Sequence, residues 1–166
     1  FMFPKHLMDS DDDWQEGLAL WLYPRLHPLL KRFGGYSIGR VGYGQYVGTF
    51  DEDEEVIEDE LVSVGAFRNP MAALKSLPDG RIEEGSWRVT YEDDLTGRIE
   101  PGMQVHIHLF EREDGKPGRE IYAHYEDDWG VAPIAHLHSE NFSVETGVEI
   151  AAELIDEHSY LIKLQK

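Results

Sequence analysis

The sequence predicts an α+β domain, a mainly antiparallel sheet with helices on one face and an N-terminal helical segment. Three observations lead there. Segments 86–92 (SWRVTYE), 103–111 (MQVHIHLFE) and 119–126 (REIYAHYE) alternate in residue type with the period of two that a strand imposes. Segments 51–64 and 143–155 place apolar residues at helical spacing instead. The link REDGKPG at 112–118 is short and centred on Gly115, which allows a hairpin between two of the strands.

Taken in order, residues 1–13 read as a loose acidic arm, and 14–166 as a single domain with a helical segment at 14–33 and the sheet plus two helices at 34–166. Trp14, Leu18, Trp21, Leu22, Leu26, Leu29, Leu30 and Phe33 follow helical spacing. Pro24 and Pro28 interrupt it, since proline removes a backbone donor and crowds the preceding turn; Gly34 and Gly35 stop it. Residues 34–50, rich in Gly and Tyr, predict a hairpin that turns near Gly42 to Gly44 and returns along 46–50. Gly42, Gly44 and Gly48 have the wrong spacing for a dinucleotide loop, and no helix opens after them.

Segment 51–64 predicts a helix capped by Asp51 with Glu54 three residues on, burying Val56, Ile57, Leu61 and Val64. Its many carboxylates fit a solvated helix face better than a cation site, because the glycine and alternating oxygen ligands of a calcium loop are missing. Segment 67–81 runs through a strand or irregular piece to a turn at Pro78, Asp79 and Gly80. Ser143 is placed as the N-cap of a last helix with Val144, Val148, Ala151 and Ile155 on one side, and 160–164 as a short closing strand.

Asp and Glu number 33 against 15 Lys and Arg, a formal charge of -18, with a sequence pI of about 4.6. Such a surface repels itself in dilute buffer. In concentrated salt the Debye length falls to roughly 3 Å at 1 M, so the carboxylates cease to see one another. A soluble protein from the cytoplasm of a salt-accumulating microbe follows as the expectation. No run of Lys or Arg exists to bind phosphates, so nucleic acid is excluded as a partner. The longest apolar stretch, 17–23, is far short of the ~20 residues of a membrane span, and no leader pattern precedes it, so no membrane association is expected. With no Cys, neither a disulfide nor a thiolate site is available. The loops of nucleotide enzymes, serine hydrolases and H-E-x-x-H metalloproteases are missing as well.

Parity in the strands singles out one face. The odd positions Trp87, Val89, Tyr91, Val105, Ile107, Leu109, Ile121, Ala123 and Tyr125 are mostly apolar and should face the helices. Arg88, Thr90, His106, His108, Tyr122 and His124 then share the other face, turned away from the core. A register with Phe110 beside Glu120 sets His108 beside Tyr122 and His106 beside His124. Neighbouring Cβ atoms about 4.5–5.5 Å apart would let His106, His108 and His124 form a facial set for zinc, iron or nickel, with His136 and His138 as further candidates. Arg88 and Tyr122 are candidate ligand-binding residues on the same face. The alternative is that this face, polar and half-exposed, carries no cofactor and serves contact with a second copy or another protein. Glu111, Glu113, Asp127 and Asp128 are candidate carboxylate ligands or members of the acidic coat.

Pro101, Gly102, His106, His108 and Glu113 in PGMQVHIHLFERE resemble the first metal-binding motif of the cupins, which implies a metal-dependent oxygenase or hydrolase. Over residues 46–155, YVGTF, EEGSWRV, HIHLFERE and YAHYE resemble uncharacterised conserved proteins of halophilic archaea, a likeness that implies a salt regime and no activity. The expected function is a binding or protein-interaction module, with a small His-ligated metalloprotein as the alternative.

Overall fold

The computed structural model describes residues 41–69 and 75–164, with side chains of the last helix described as far as residue 156. The acidic arm at 1–13, the helical segment at 14–33 and the first arm of the expected hairpin lie outside the described residues. The elements are β1 (Tyr46–Phe50), α1 (Glu54–Ser63), β2 (Phe67–Arg68), β3 (Gly85–Thr90), β4 (Met103–Glu111), β5 (Arg119–Asp127), α2 (Pro133–His138) and α3 (Val144–Leu164). The strands form one sheet in the order β1-β5-β4-β3-β2, every neighbouring pair antiparallel. The fold is α+β. Among the described residues no helix is long and apolar enough to cross a membrane.

β4 has the bounds its alternation predicts, and the β4–β5 register sets Phe110 opposite Glu120, His108 opposite Tyr122 and His106 opposite His124, as expected. β3 stops at Thr90 because Asp93 and Asp94 organise a turn: Thr90 Oγ1 donates to Asp93 at 3.1 Å, and Asp94 accepts the backbone N–H of Thr96 and of Ile99. Tyr91 therefore lies in a 3₁₀ turn, 49% exposed, and does not face the helices. β1 pairs with β5, Thr49 opposite Glu120 and Phe50 opposite Arg119, and residues 43–45 before it form a 3₁₀ turn.

α1 begins later than its sequence suggests. Asp53 holds the N-cap position in place of Asp51, because its carbonyl accepts the first helical bonds from Val56 and Ile57. Ile57, Leu61 and Val64 are buried at i, i+4 and i+7, whereas Val56, one step round the helix, is 45% exposed. Ser143 caps α3 as expected, accepting the Thr146 N–H at 3.2 Å. The helix then continues through Leu164, so the closing strand expected at 160–164 is its last turn. No glycine or proline after Gly147 interrupts it.

One face of the sheet carries the main core: Trp87, Val89, Val105, Ile107, Leu109, Ile121 and Ala123 pack against α1 and against Ile150, Ala151 and Leu154 of α3. The buried stripe of α3 is thus Gly147, Ile150, Ala151 and Leu154, with Val144, Val148 and Ile155 at its half-buried margins. Gly147 sets the closeness of this packing. A Cβ there would stand 2.2 Å from the carbonyl carbon of His124, so the helix rests on the β5 backbone behind that histidine.

The even-numbered face is not the half-exposed surface that parity suggests. His106, His108 and His124 are fully buried, and Val41, Leu77, Phe110 and Tyr122 form a second apolar cluster beside them. Connecting segments supply the cover: Gln45 before β1, Lys75 and Glu83 between β2 and β3, and Phe142 ahead of α3. These residues carry no periodic pattern, so nothing in the strands announced a second layer.

Candidate metal centre

β4 and β5 bring the three histidines together because i and i+2 on one strand point the same way and the register places His124 opposite His106. The ring centroids of His106 and His108 stand 4.0 Å apart, and each is 5.0 Å from that of His124. Ligand nitrogens from the three lie within 4.8 Å of one another.

Each imidazole turns one nitrogen to a buried carboxylate. His106 Nδ1 is 3.2 Å from Glu126 Oε1, His124 Nε2 is 3.1 Å from Glu126 Oε2, and His108 Nδ1 is 2.5 Å from Glu83 Oε1. Glu126 also accepts the amide of Gln104 at 2.8 Å. Burial leads the titration of the whole set. It holds His106 well below the ordinary histidine range, lowers His108 and brings His124 down to about 3, with the Lys75 charge adding to the depression of each. Burial opposes ionisation of Glu126, yet the His124 and His106 rings outweigh it and hold its carboxyl well below the usual range. The imidazoles are therefore neutral: His106 and His108 donate from Nδ1 to Glu126 and Glu83, and His124 donates from Nδ1 to the Gln45 side-chain oxygen at 2.9 Å.

That proton assignment leaves lone pairs on Nε2 of His106 and His108, and a shift of the His124 proton from Nδ1 to Nε2, where Glu126 Oε2 stands 3.1 Å away, would bare the third nitrogen. His108 Nε2 and His124 Nδ1 face one another at 3.2 Å. Two ligands on a tetrahedral zinc ion, with Zn–N bonds of about 2.0–2.1 Å, stand about 3.3 Å apart. His106 Nε2 meets the Ser86 hydroxyl at 2.7 Å, the Gln45 oxygen shares His124 Nδ1 with His108, and the Phe142 ring packs 4.9 Å from the His124 ring.

The other candidates divide. His136, on α2, donates from Nδ1 to the Asp127 carbonyl at 2.8 Å and stands 3.6 Å from Glu126 Oε2, outside the cluster of three. His138 ends the same helix exposed. Tyr122 shares the face, but its hydroxyl donates to Glu120 at 3.0 Å and its ring packs edge-on against Phe110. Arg88, opposite His106, bonds Asp128 at 3.0 Å and Gln104 at 3.1 Å, its guanidinium carbon 4.5 Å from the Phe67 ring centroid and 5.0 Å from that of Trp129. Glu113, which the cupin-like motif would make a ligand, lies past the end of β4 and donates its backbone N–H to Glu120. Asp127 accepts from Asn141, and Glu111 is exposed at the end of β4.

Sequence reasoning missed Glu126, Glu83, Lys75, Gln45 and Gln104. For Glu126 and Gln104 a signal existed, since both share the even parity of the histidines on their own strands. Glu83, Lys75 and Gln45 sit in connections where parity is silent. No protein-family model, no curated protein and no solved structure matches the chain.

Proposed function

We propose that the protein holds a first-row divalent metal ion, zinc before iron or nickel, on His106, His108 and His124. One observation carries the reading: three fully buried histidines bring ligand nitrogens within 4.8 Å of one another, with a buried carboxylate oxygen beside a nitrogen of each ring. Carboxylate partners of this kind fix the tautomer and raise the basicity of ligating histidines. Three protein ligands leave a fourth position, the arrangement of catalytic zinc sites, where a bound ion lowers the pKa of water to about 7 and polarises carbonyls. A metal-dependent hydrolytic role follows from the donor set.

The test is elemental analysis of untagged protein purified without added metal and again after exposure to zinc. About one ion per chain is expected, lost in His124→Ala and His106→Ala. A wild-type chain that takes up no ion after zinc exposure ends the proposal.

A second reading, contact with another copy or another protein, is supported by Val131, Ile134 and Leu137 around α2, exposed by 67%, 70% and 39%. Light scattering coupled to gel filtration tests it, a strictly monomeric mass counting against self-association. The excess of carboxylates supports a salt-rich cytoplasm as the setting.

A further inference from the structure

Ser86 stands where a metal would bind His106. It lies on β3, opposite His108, and is buried. His106 donates from Nδ1 to Glu126, so its Nε2 carries a lone pair, and the Ser86 hydroxyl at 2.7 Å is the donor to it. An imidazole nitrogen has a single lone pair, directed outward in the plane of the ring. A hydrogen-bond donor and a zinc ion at about 2.0–2.1 Å both lie along that direction, so they exclude each other. Loading of His106 therefore requires the hydroxyl to leave, and a buried hydroxyl that leaves one partner needs another.

The neighbouring strand provides it. Asn69 donates its backbone N–H to the Ser86 carbonyl at 2.8 Å, which extends the β2–β3 register past Arg68 opposite Trp87 and sets Asn69 opposite Ser86. The two side chains share a face: the Phe67 ring, two residues before Asn69, lies 4.5 Å from the guanidinium carbon of Arg88, two residues after Ser86. Opposed side chains have Cβ atoms about 4.5–5.5 Å apart, a gap that an asparagine and a serine can span with a hydrogen bond. Asn69 is fully buried, and neither its side-chain oxygen nor its side-chain nitrogen has a hydrogen-bond partner. Native folds leave few such groups unmet, because each costs stability. The unmet amide lies on the β2 side of Ser86 and the histidine on the β4 side. A turn about χ1 from one staggered position to another carries the hydroxyl across.

We infer that Ser86 is a two-position latch: its hydroxyl rests on His106 Nε2 until a metal takes that nitrogen, and then turns to the Asn69 side chain. The move exchanges one hydrogen bond for another, so the ion displaces the hydroxyl without leaving it unpaired. Either end of the amide serves, Oδ1 by accepting the hydroxyl proton or Nδ2 by donating to the hydroxyl oxygen. Asn69 is thus a positioning residue, acting on the metal through Ser86. The latch rests on the metal reading of the three histidines and describes how that site loads.

Zinc affinities of wild type, Asn69→Leu, Ser86→Ala and the double variant, read by competition against a chromophoric chelator at fixed pH, close a double-mutant cycle. Asn69→Leu should bind zinc about tenfold more weakly, because the displaced hydroxyl then has no partner. Ser86→Ala should stay within about threefold of wild type, since neither bond of the exchange exists in it. Adding Asn69→Leu to Ser86→Ala should change affinity by less than about twofold. A merely structural Asn69 would lower affinity in both backgrounds or in neither, and either result overturns the latch. A gain of about tenfold in Ser86→Ala overturns it too, because the hydroxyl would then obstruct the ion with no second partner to receive it. Thermal midpoints of the metal-free chains show that each variant folds. Asn69→Leu deletes an unmet amide and should not fall below wild type; a lower midpoint would reveal an amide already paired, and would count against the latch. Wild type that takes up no zinc fails the metal centre and the latch together, whereas zinc bound equally by wild type and Asn69→Leu fails the latch alone.

Discussion

Replacing Glu126 by Gln tests the centre through a residue that would not touch the metal. The carboxylate borders two of the three ligand rings: Oε1 accepts from His106 and from Gln104, and Oε2 stands 3.1 Å from His124 Nε2, placed to accept a proton there. The introduced amide is nearly isosteric but accepts on one side only. With its oxygen kept towards Gln104 and His106, its NH2 donates to His124 Nε2 and fills the lone pair there. The His124 proton is then held on Nδ1, the nitrogen that faces His108 at 3.2 Å and Gln45 at 2.9 Å, and the ring is lost as a ligand. Loss of one such partner typically costs 10–100-fold in metal affinity, about 1.4–2.8 kcal/mol, and a change that disturbs two rings belongs at the upper end. Competition against a chromophoric zinc chelator at fixed pH reads the affinity, and circular dichroism of the metal-free chains shows whether the fold is kept. Glu83→Gln, which serves His108 alone, should lose less. A Glu126→Gln protein that is folded and binds zinc within about twofold of wild type would refute the assignment of lone pairs on which the centre depends.

Three other expectations concern the scaffold. Gly147→Ala gains about 1 kcal/mol of helix propensity, but the new Cβ would sit 2.2 Å from the His124 carbonyl carbon, and backbone cannot yield cheaply. A net loss of about 2 kcal/mol, roughly 4–8 °C in thermal midpoint, is expected, and a rise would show that helix and strand are not in such contact. Glu120 is opposed by burial, yet the Glu113 N–H, Arg81 and Tyr122 hold its carboxyl below the ordinary range. The unfolded chain therefore takes up the proton first as pH falls, so this stability is whole above the ordinary carboxyl pKa of about 4.5 and drains away below it. Glu120→Gln should destabilise by about 1–3 kcal/mol near neutrality and show a shallower acid limb in urea titrations from pH 7 to 3, and an unchanged limb would remove Glu120 as its source. Finally, the midpoint should rise between low and molar KCl as self-repulsion is screened; a flat or falling midpoint argues against salt adaptation.

The strands and the histidine register were legible because they depend on a period of two and on one short hairpin link, both local properties of the chain. Phe110 beside Glu120 follows once the link is closed symmetrically, and the rest of the ladder follows from that pair. The enclosure of the histidines was not legible. It depends on Gln45, Glu83, Lys75 and Phe142, which reach the face from connections whose path no local pattern fixes. The boundaries of β3 and α1 shifted for a related reason: Asp residues close turns through their own side chains or carbonyls, and several stand at each junction, so sequence alone does not say which one acts.

The contrast between surface and interior bears on selectivity. A chain of charge -18 surrounds itself with cations of every hard kind, drawn to carboxylates that bind them weakly and through oxygen. The paired cations of this surface, among them Arg98 with Glu149 and Glu153 and Arg119 with Glu54 and Glu84, do not alter that excess. A site made of more surface carboxylate would be flooded by magnesium, sodium or potassium. Imidazole nitrogens at zero exposure pose a different requirement, since a hard ion gains little from nitrogen donors and must give up its water to reach them. Burial also holds the rings neutral, so a metal has no imidazolium charge to displace. Screening by salt weakens the attraction of the coat but acts much less on a set enclosed between the sheet and its covering segments. The two features that dominate the sequence, an acidic exterior and an alternating histidine strand, are therefore compatible: the second selects borderline metals because it is removed from the first.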